Sequence, residues 1–224
     1  MRSTPLILYV AMWVQWLPAV GLLLPRVRAI GGRVWIIGAL LVSFGGDIAQ
    51  YFMGKQRINN LWVGYVATAL YGLVVIQALR VWQTTPGAAR TVRIGMVLYI
   101  ALCSLAPWIE NVQQFSVVVI PAQYIFIFIL CVATLIRNSL QDRLEALTRY
   151  DWFWICAGLA LSFGGSSAIQ PVANVFMARN QLDGAVALWV VRAWIQLVAL
   201  LLITTGVLWA RSTAPSSLSS SPAR

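Results

Sequence analysis

"SFGGDIAQYFMGKQRIN" (residues 43–59) and "SFGGSSAIQPVANVFMARNQLD" (residues 162–183) are two versions of one pattern within the same chain. Each has Ser-Phe-Gly-Gly, then Phe-Met, then a small residue and a basic residue. An apolar run precedes and follows both versions. Only the first has an acid, Asp47, directly after the glycines. The pattern therefore predicts two related helix pairs that differ at one acidic position.

The composition predicts an integral membrane protein. Hydrophobic residues make up 60% of the chain and charged residues 10%, whereas a soluble domain has about a quarter charged residues. So little charge cannot cover a surface in water, so we expect an all-α polytopic protein of the bacterial cytoplasmic membrane. The net charge of +10 comes from short basic clusters between apolar runs. That distribution is typical of residues that face anionic lipid and set topology, and it does not indicate a nucleic-acid partner.

Segments with about 20 apolar residues are long enough to cross a bilayer as helices. Seven are predicted, at 4–24, 34–53, 61–82, 93–109, 117–136, 152–176 and 186–210. The side with more Lys and Arg is expected to face the cytoplasm, which places the N-terminus outside and the C-terminus inside. The richer side holds Arg26, Arg28, Arg33, Arg80, Arg90, Arg93, Arg137, Arg143, Arg149, Arg211 and Arg224, and the poorer side holds Arg2, Lys55, Arg57 and Arg179. Residues 211–224, rich in Ser and Pro, are predicted to be a disordered cytoplasmic tail.

The two versions of the pattern fall in spans two and three and in spans six and seven. Span one ("PLILY") and span five ("PAQYIFIF") share a proline and a nearby tyrosine, which extends the repeat to three helices on each side of one connector. The single domain 1–210 then consists of repeat one (4–82), a connector helix (93–109) and repeat two (117–210). An even number of spans separates the repeats, so both run in the same direction, about an axis along the membrane normal.

This three-one-three topology resembles that of the SWEET sugar transporters and the PnuC-type carriers of vitamin precursors. The resemblance implies a carrier fold; it is one of topology, and no functional residues are assigned from it. "INN" at 58–60 is similar to a pattern in uncharacterised bacterial seven-helix membrane proteins, which implies no activity.

Two ionisable residues lie within predicted spans, where a charge is costly and indicates function by default. Asp47 and Arg192 are each about six residues from the outer end of a span, or roughly 9 Å deep at 1.5 Å per residue. Their matched depth and opposite sign predict a buried ion pair. Two interpretations stay open: a static clamp between the repeats, or part of an outward-facing pocket that recognises a polar or zwitterionic solute.

Other polar residues are expected on the outer half of the bundle around this pair. Glu110 is either a solvated loop residue or a second acid that folds over the mouth of the bundle near Arg192. The candidate outer pocket comprises Asn59, Asn60, Thr68, Glu110, Gln170, Asn174 and Gln196.

Several chemistries lack the residues they need. The chain has no histidine, and its three cysteines are far apart, so no metal site and no cofactor are predicted. "SFGGDIAQYF" (43–52) is similar to the first acid-bearing helix of YhhN-type lysoplasmalogenases, which implies an intramembrane lipid hydrolase. However, Ser166 stands where the second version would need its acid, and the predicted spans number seven. We therefore expect no catalytic residues and no enzyme activity.

Three functions remain in order of preference. The first is a small polar-solute carrier with an outward-opening site between the repeats. The second is a non-catalytic module, either a sensor of an outer ligand or an accessory subunit of a larger membrane complex. The third is the lipid hydrolase. A carrier predicts a cavity that reaches mid-membrane, whereas a module predicts a dry interior. The expected partners are the lipid bilayer, a small polar solute, and a membrane-protein partner or a second copy of the chain.

Overall fold

The computed structural model describes residues 5–24, 27, 31–83, 85–141 and 144–208. These residues are helical and contain no β-strand, which confirms the all-α prediction. The helices, in order, are α1 (Leu6–Val14), a 3-10 helix (Leu17–Leu23), α2 (Gly31–Lys55), α3 (Leu61–Val81), α4 (Pro86–Ser104), the one-turn α5 (Ala106–Ile109), α6 (Val119–Gln141), a second 3-10 helix (Leu144–Arg149), α7 (Asp151–Ala178) and α8 (Leu182–Leu208).

Six of these helices are long and apolar enough to cross a membrane: α2, α3, α4, α6, α7 and α8. They correspond to predicted spans two to seven, and they mark the chain as an integral membrane protein. The connector helix was predicted too late, at residue 93, because Arg90 and Arg93 interrupt its apolar run. It begins at Pro86, where the Thr85 hydroxyl accepts a hydrogen bond from the Ala88 N–H at 3.3 Å. A threonine cap followed by proline is a strong signal for a helix start.

The first predicted span does not form one long helix. Residues 6–24 contain the nine-residue α1 and then the 3-10 helix, and Pro18 within the latter cannot donate a backbone hydrogen bond. This segment contacts α2 through ring pairs Tyr9–Tyr51 and Trp13–Phe44. A seventh crossing therefore stays a prediction, and the predicted tail at 211–224 lies outside the described residues.

The repeated glycines mark the places where two helix pairs approach closely. Helix α2 packs on α3, and α7 packs on α8. A Cβ atom at Gly46 would lie 2.5 Å from the Cβ of Ala67, and one at Gly165 would lie 2.8 Å from Cγ2 of Ile195. Gly45, by contrast, has nothing within 4 Å. The second glycine of each Ser-Phe-Gly-Gly thus lets neighbouring helix backbones come together.

We call the end of the bundle with connections 56–60, 110–118 and 179–181 the mouth end, and the end with the N-termini of α2 and α7 the base end. At the base end, Arg33 Nε lies 3.0 Å from Asp151 Oδ2. The exposed fraction is 2% for Arg33 and 0% for Asp151. Arg33 was predicted to be a loop charge, but it lies in α2 and joins that helix to α7.

Candidate functional site

A cavity of about 740 Å³ opens between the helix pairs α2/α3 and α7/α8. Residues from α1 and α6 and the segment 114–116 complete its wall. Its lining extends from Asn60 and Gln114 in the mouth-end connections to Ser43 and Ser162, which lie near the middle of α2 and α7. The cavity therefore reaches about halfway along the membrane-spanning helices.

Polar side chains recur on the two helices that face each other across this cavity. Helix α2 contributes Ser43, Asp47 and Gln50, and α7 contributes Ser162, Ser166, Gln170 and Asn174. Spacings of three and four residues place each set on one helix face. The cavity thus has a polar stripe on both sides, within helices that are otherwise apolar.

Asp47 forms the acidic side of the cavity. Its Oδ2 accepts a hydrogen bond of 2.8 Å from Gln15 Nε2. Gln15 follows α1 directly, and its exposed fraction is only 4%. Its Oε1 is buried with no hydrogen-bond partner among the described residues. Gln15 therefore orients the carboxylate, while its own amide oxygen is enclosed by the protein.

Arg192 forms the basic side. Its Nε donates to the Ser166 hydroxyl at 3.1 Å, and its Nη1 donates to Gln170 Oε1 at 2.5 Å. The guanidinium carbon lies 5.9 Å from the centre of the Tyr124 ring, within the range of a cation–π interaction. Within the described structure, neutral groups alone hold the guanidinium in place, and Nη2 makes no hydrogen bond.

Asp47 and Arg192 line the same cavity and are close enough to interact electrostatically. The described residues nevertheless contain no salt bridge between them, so the direct contact expected from the sequence is absent. The reason is visible in the local partners: Gln15 engages the carboxylate, while Ser166 and Gln170 engage the guanidinium. The cavity thus holds two opposite charges that interact electrostatically without forming a salt bridge.

A chain of hydrogen bonds runs from Arg192 toward the mouth end. Beyond Gln170, the Gln170 Nε2 donates to Asn174 Oδ1 at 3.5 Å, and Asn174 Nδ2 donates to the backbone oxygen of Ser116. The Ser116 hydroxyl in turn donates to Glu110. These contacts connect α8 and α7 with the connection 110–118 that precedes α6, and they fix the position of the guanidinium.

Glu110 fits neither of the two interpretations drawn from the sequence. It accepts hydrogen bonds from the N–H groups of the three consecutive residues 117–119 and from the Tyr65 hydroxyl, and it does not line the cavity. Partial burial alone would raise its pKa, but the hydrogen bonds from Ser116 and the backbone outweigh that effect and hold the pKa of Glu110 below its ordinary value. Glu110 caps the N-terminus of α6, where a carboxylate is favoured.

Most of the candidate pocket residues meet at the cavity. Asn59 does not: its Oδ1 accepts from the Leu61 N–H, and its Nδ2 donates to the backbone oxygen of Gln113. Glu110 is the other exception. The predicted residues that do line the cavity are Asp47, Asn60, Thr68, Gln170, Asn174, Arg192 and Gln196.

Several lining residues, including Gln15 and Tyr124, were not predicted from the sequence. Ser43 and Ser162 could have been found, because they continue the spacing of Asp47 and Ser166 by one turn in each helix. Gln15 carried no such signal, since it lies in a short segment whose packing depends on distant helices. Among the described residues, no group of three His, Cys, Asp or Glu side chains could hold a metal ion.

The chain was compared with models of known protein families, with curated proteins and with solved structures. None of the three comparisons gives a match.

Proposed function

We propose that this membrane protein is a carrier for a small polar solute and that the solute binds in the cavity between the two repeats. The observation that supports this most is the polar lining that extends to the middle of the spanning helices. Polar groups in a membrane interior are costly unless they are paired or serve a solute or ion pathway. Several hydroxyls in the lining, among them those of Ser43, Ser162 and Tyr71, make no hydrogen bond within the described structure.

The positions of the charges support an internal repeat. Asp47 and Ser166 each follow a Ser-Phe-Gly-Gly directly, so they are equivalent in the two repeats. Thr68 and Arg192 are also equivalent, since Thr68 follows Phe52 by 16 residues and Arg192 follows Phe176 by 16. All four residues line the cavity. Equivalent positions of the two repeats therefore line the cavity, and in each of these two pairs one residue is charged and the other is neutral.

Helix packing follows the same plan. The first helix of repeat one, α1, packs on α8, the last helix of repeat two. Correspondingly, α6 packs on α3, the last helix of repeat one. Two repeats related by an axis through the cavity are expected to pack in this way, with the first helix of each repeat on the last helix of the other.

The seventh crossing and the orientation belong to the same proposal. At about 1.5 Å per residue for α1 and about 2.0 Å for the 3-10 helix, the two elements together extend roughly 27 Å, close to a bilayer's hydrocarbon thickness. Gly21, near the end of this segment, lies beside Val207 at the base end. The excess of basic residues predicted for the base end supports an orientation with this end in the cytoplasm and the cavity open to the outside.

Below the cavity, the bundle is closed by buried apolar side chains and then by the Arg33–Asp151 pair. Leu40 is one of these, one turn below Ser43 on α2. A carrier must open this base while it closes the mouth, whereas a sensor or an accessory subunit has no need to do so. We propose no catalytic residues, since Asp47 is the one acid among the described residues that line the cavity, and paired-acid hydrolysis would need two.

Cysteine labelling tests this difference without knowledge of the solute. In a background with Cys103, Cys131 and Cys156 replaced by alanine, Ser43→Cys reports on the cavity and Leu40→Cys reports on the closed base. With a membrane-impermeant maleimide, we expect Ser43→Cys to react from the mouth side. We expect Leu40→Cys to react from the base side as the protein changes conformation.

The cysteine-free background is the control for labelling elsewhere. Labelling of Ser43→Cys from the mouth side alone, with Leu40→Cys unreactive from both sides, would contradict a carrier and favour a sensor or a subunit.

A further inference from the structure

We infer that the cavity binds a zwitterion, with a primary ammonium group held by Asp47 and a carboxylate held by Arg192. The transport of this solute rests on the proposed function, but its binding does not. Each part of the assignment follows from the hydrogen-bonding capacity that the protein leaves unused.

The acidic side has room for a donor and not for another acceptor. Asp47 lines the cavity, and its Oδ1 makes no hydrogen bond among the described residues. Gln15 Oε1 also has no partner, but it is enclosed by the protein and a solute in the cavity does not reach it. An ammonium group carries three N–H donors and can donate to Asp47 Oδ1. A quaternary ammonium carries no N–H donor and would leave Oδ1 without a hydrogen bond.

The basic side has the opposite requirement. A guanidinium carries five N–H donors in a planar fork. The hydrogen bond to Ser166 uses the donor at Nε, and the hydrogen bond to Gln170 uses one of the two donors at Nη1. The remaining N–H groups, including both on Nη2, suit a carboxylate, which guanidinium groups often bind through two parallel hydrogen bonds. The Tyr124 ring cannot serve as a counter-ion, because its attraction for a cation is weak.

The two charges together decide the class of solute. Asp47 and Arg192 interact electrostatically but form no salt bridge, so each keeps hydrogen-bonding capacity for a group of opposite charge. A cation alone would use only the capacity of Asp47, an anion alone only that of Arg192, and a neutral sugar would bring an opposite charge to neither. A solute with both charges can serve both sides without adding net charge to the membrane interior. Burying matched charges is far less costly than burying either one alone.

The rest of the cavity favours a zwitterion with a side chain. Its volume of about 740 Å³ lies in the range of pockets for drug-sized ligands, so it exceeds what the two charged groups alone require. Aromatic residues form part of its wall, namely Tyr65, Tyr71, Phe163 and Trp189. An amino acid with an apolar or aromatic substituent meets both conditions.

The test is equilibrium binding to the purified full chain in lipid nanodiscs, measured by calorimetry. The probes are the twenty proteinogenic L-amino acids, with glucose and glycerol as neutral solutes. For the amino acid that binds most tightly, three analogues follow: its amide, its deaminated acid and its N-trimethyl derivative. We expect each analogue to bind at least about tenfold more weakly, because each loses charge-assisted hydrogen bonds.

Two substitutions test the protein side. Asp47→Asn and Arg192→Gln are each expected to weaken binding of that amino acid by about tenfold to hundredfold. Asp183→Asn and Arg179→Gln remove the same charges at the mouth end outside the cavity lining, and we expect them to leave affinity unchanged. The analogue series on the unmodified chain decides the matter even where a charge variant fails to fold.

The outcomes separate this inference from the proposed carrier function. Binding of no amino acid, or binding of glucose or of any of the three analogues as tightly as the amino acid, would overturn the inference. Uptake of glucose or glycerol into proteoliposomes, unchanged by Asp47→Asn, would keep the carrier and reject the zwitterion. Zwitterion binding without uptake into proteoliposomes would keep the site and reject the carrier.

Discussion

Replacing Gly46 by alanine is expected to force α2 away from α3. The added Cβ would lie 2.5 Å from the Cβ of Ala67, whereas two carbon atoms in contact prefer about 3.5–4.0 Å. Both atoms are attached directly to backbone, so no side-chain rotation relieves the overlap, and the helices must separate by about 1 Å. Overpacking of this kind costs about 1–3 kcal/mol. Replacing a helical glycine by alanine also stabilises the helix by about 0.5–1 kcal/mol, so the free energy of unfolding should fall by about 0.5–2 kcal/mol in total.

The neighbouring glycine provides the matched control. Gly45 has nothing within 4 Å, so Gly45→Ala retains only the gain in helix propensity. At about 2–4 °C per kcal/mol for a chain of this size, Gly46→Ala should lower Tm by about 1–8 °C, while Gly45→Ala should leave it unchanged or raise it slightly. The measurement is the fraction of monodisperse protein on size-exclusion chromatography after heating in detergent. Equal Tm values for the two variants would refute the close helix approach at Gly46.

Two further predictions concern charged groups. Asp151→Asn removes the carboxylate that Arg33 contacts at 3.0 Å, and loss of one partner from a buried pair should lower the free energy of unfolding by about 3–5 kcal/mol. The same heating assay should show a far smaller effect for the control variant Asp183→Asn. Similar effects for the two variants would contradict a stabilising role for the Arg33–Asp151 pair. Because hydrogen bonds hold the pKa of Glu110 below its ordinary value of 4.5, its stabilising effect is present above that pH and is lost as pH falls through the folded-state pKa. Glu110→Gln should therefore lower Tm at pH 7, with a difference from the unmodified chain that shrinks in acid; a difference that does not change with pH would argue against it.

Much of the helix layout is readable from the sequence because it depends on local properties. Apolar runs located the six long helices, and the pattern around Gly46 and Gly165 pointed to two similar helix pairs. The start of α4 was missed for a local reason as well, since Arg90 and Arg93 masked a helix whose cap is Thr85.

The site was less predictable, because its contacts join residues that are far apart in the chain. Asp47 and Arg192 were identified by the cost of burying charge, but nothing local indicated that Gln15 would take the carboxylate. Glu110 lies in a short polar loop, and its role depends on how close the start of α6 comes to it. The count of Lys and Arg on each side of the membrane grouped Arg33 with the residues that set topology. Such a count contains no information about which of these residues is buried, so the contact of Arg33 with Asp151 was not predicted.

The buried pair at the base end has a consequence for how the two halves of the chain depend on each other. Arg33 precedes Ser43 by 10 residues, and Asp151 precedes Ser162 by 11, so within the proposed repeat they lie within one residue of equivalent positions. When the two Ser-Phe-Gly-Gly stretches are aligned, Gly32 of the first half falls at the position of Asp151, and Trp152 of the second half falls at the position of Arg33. A protein assembled from two copies of the first half would therefore lack the carboxylate of this pair. One assembled from two copies of the second half would lack the guanidinium, so only the two different halves together form the buried ion pair at the base.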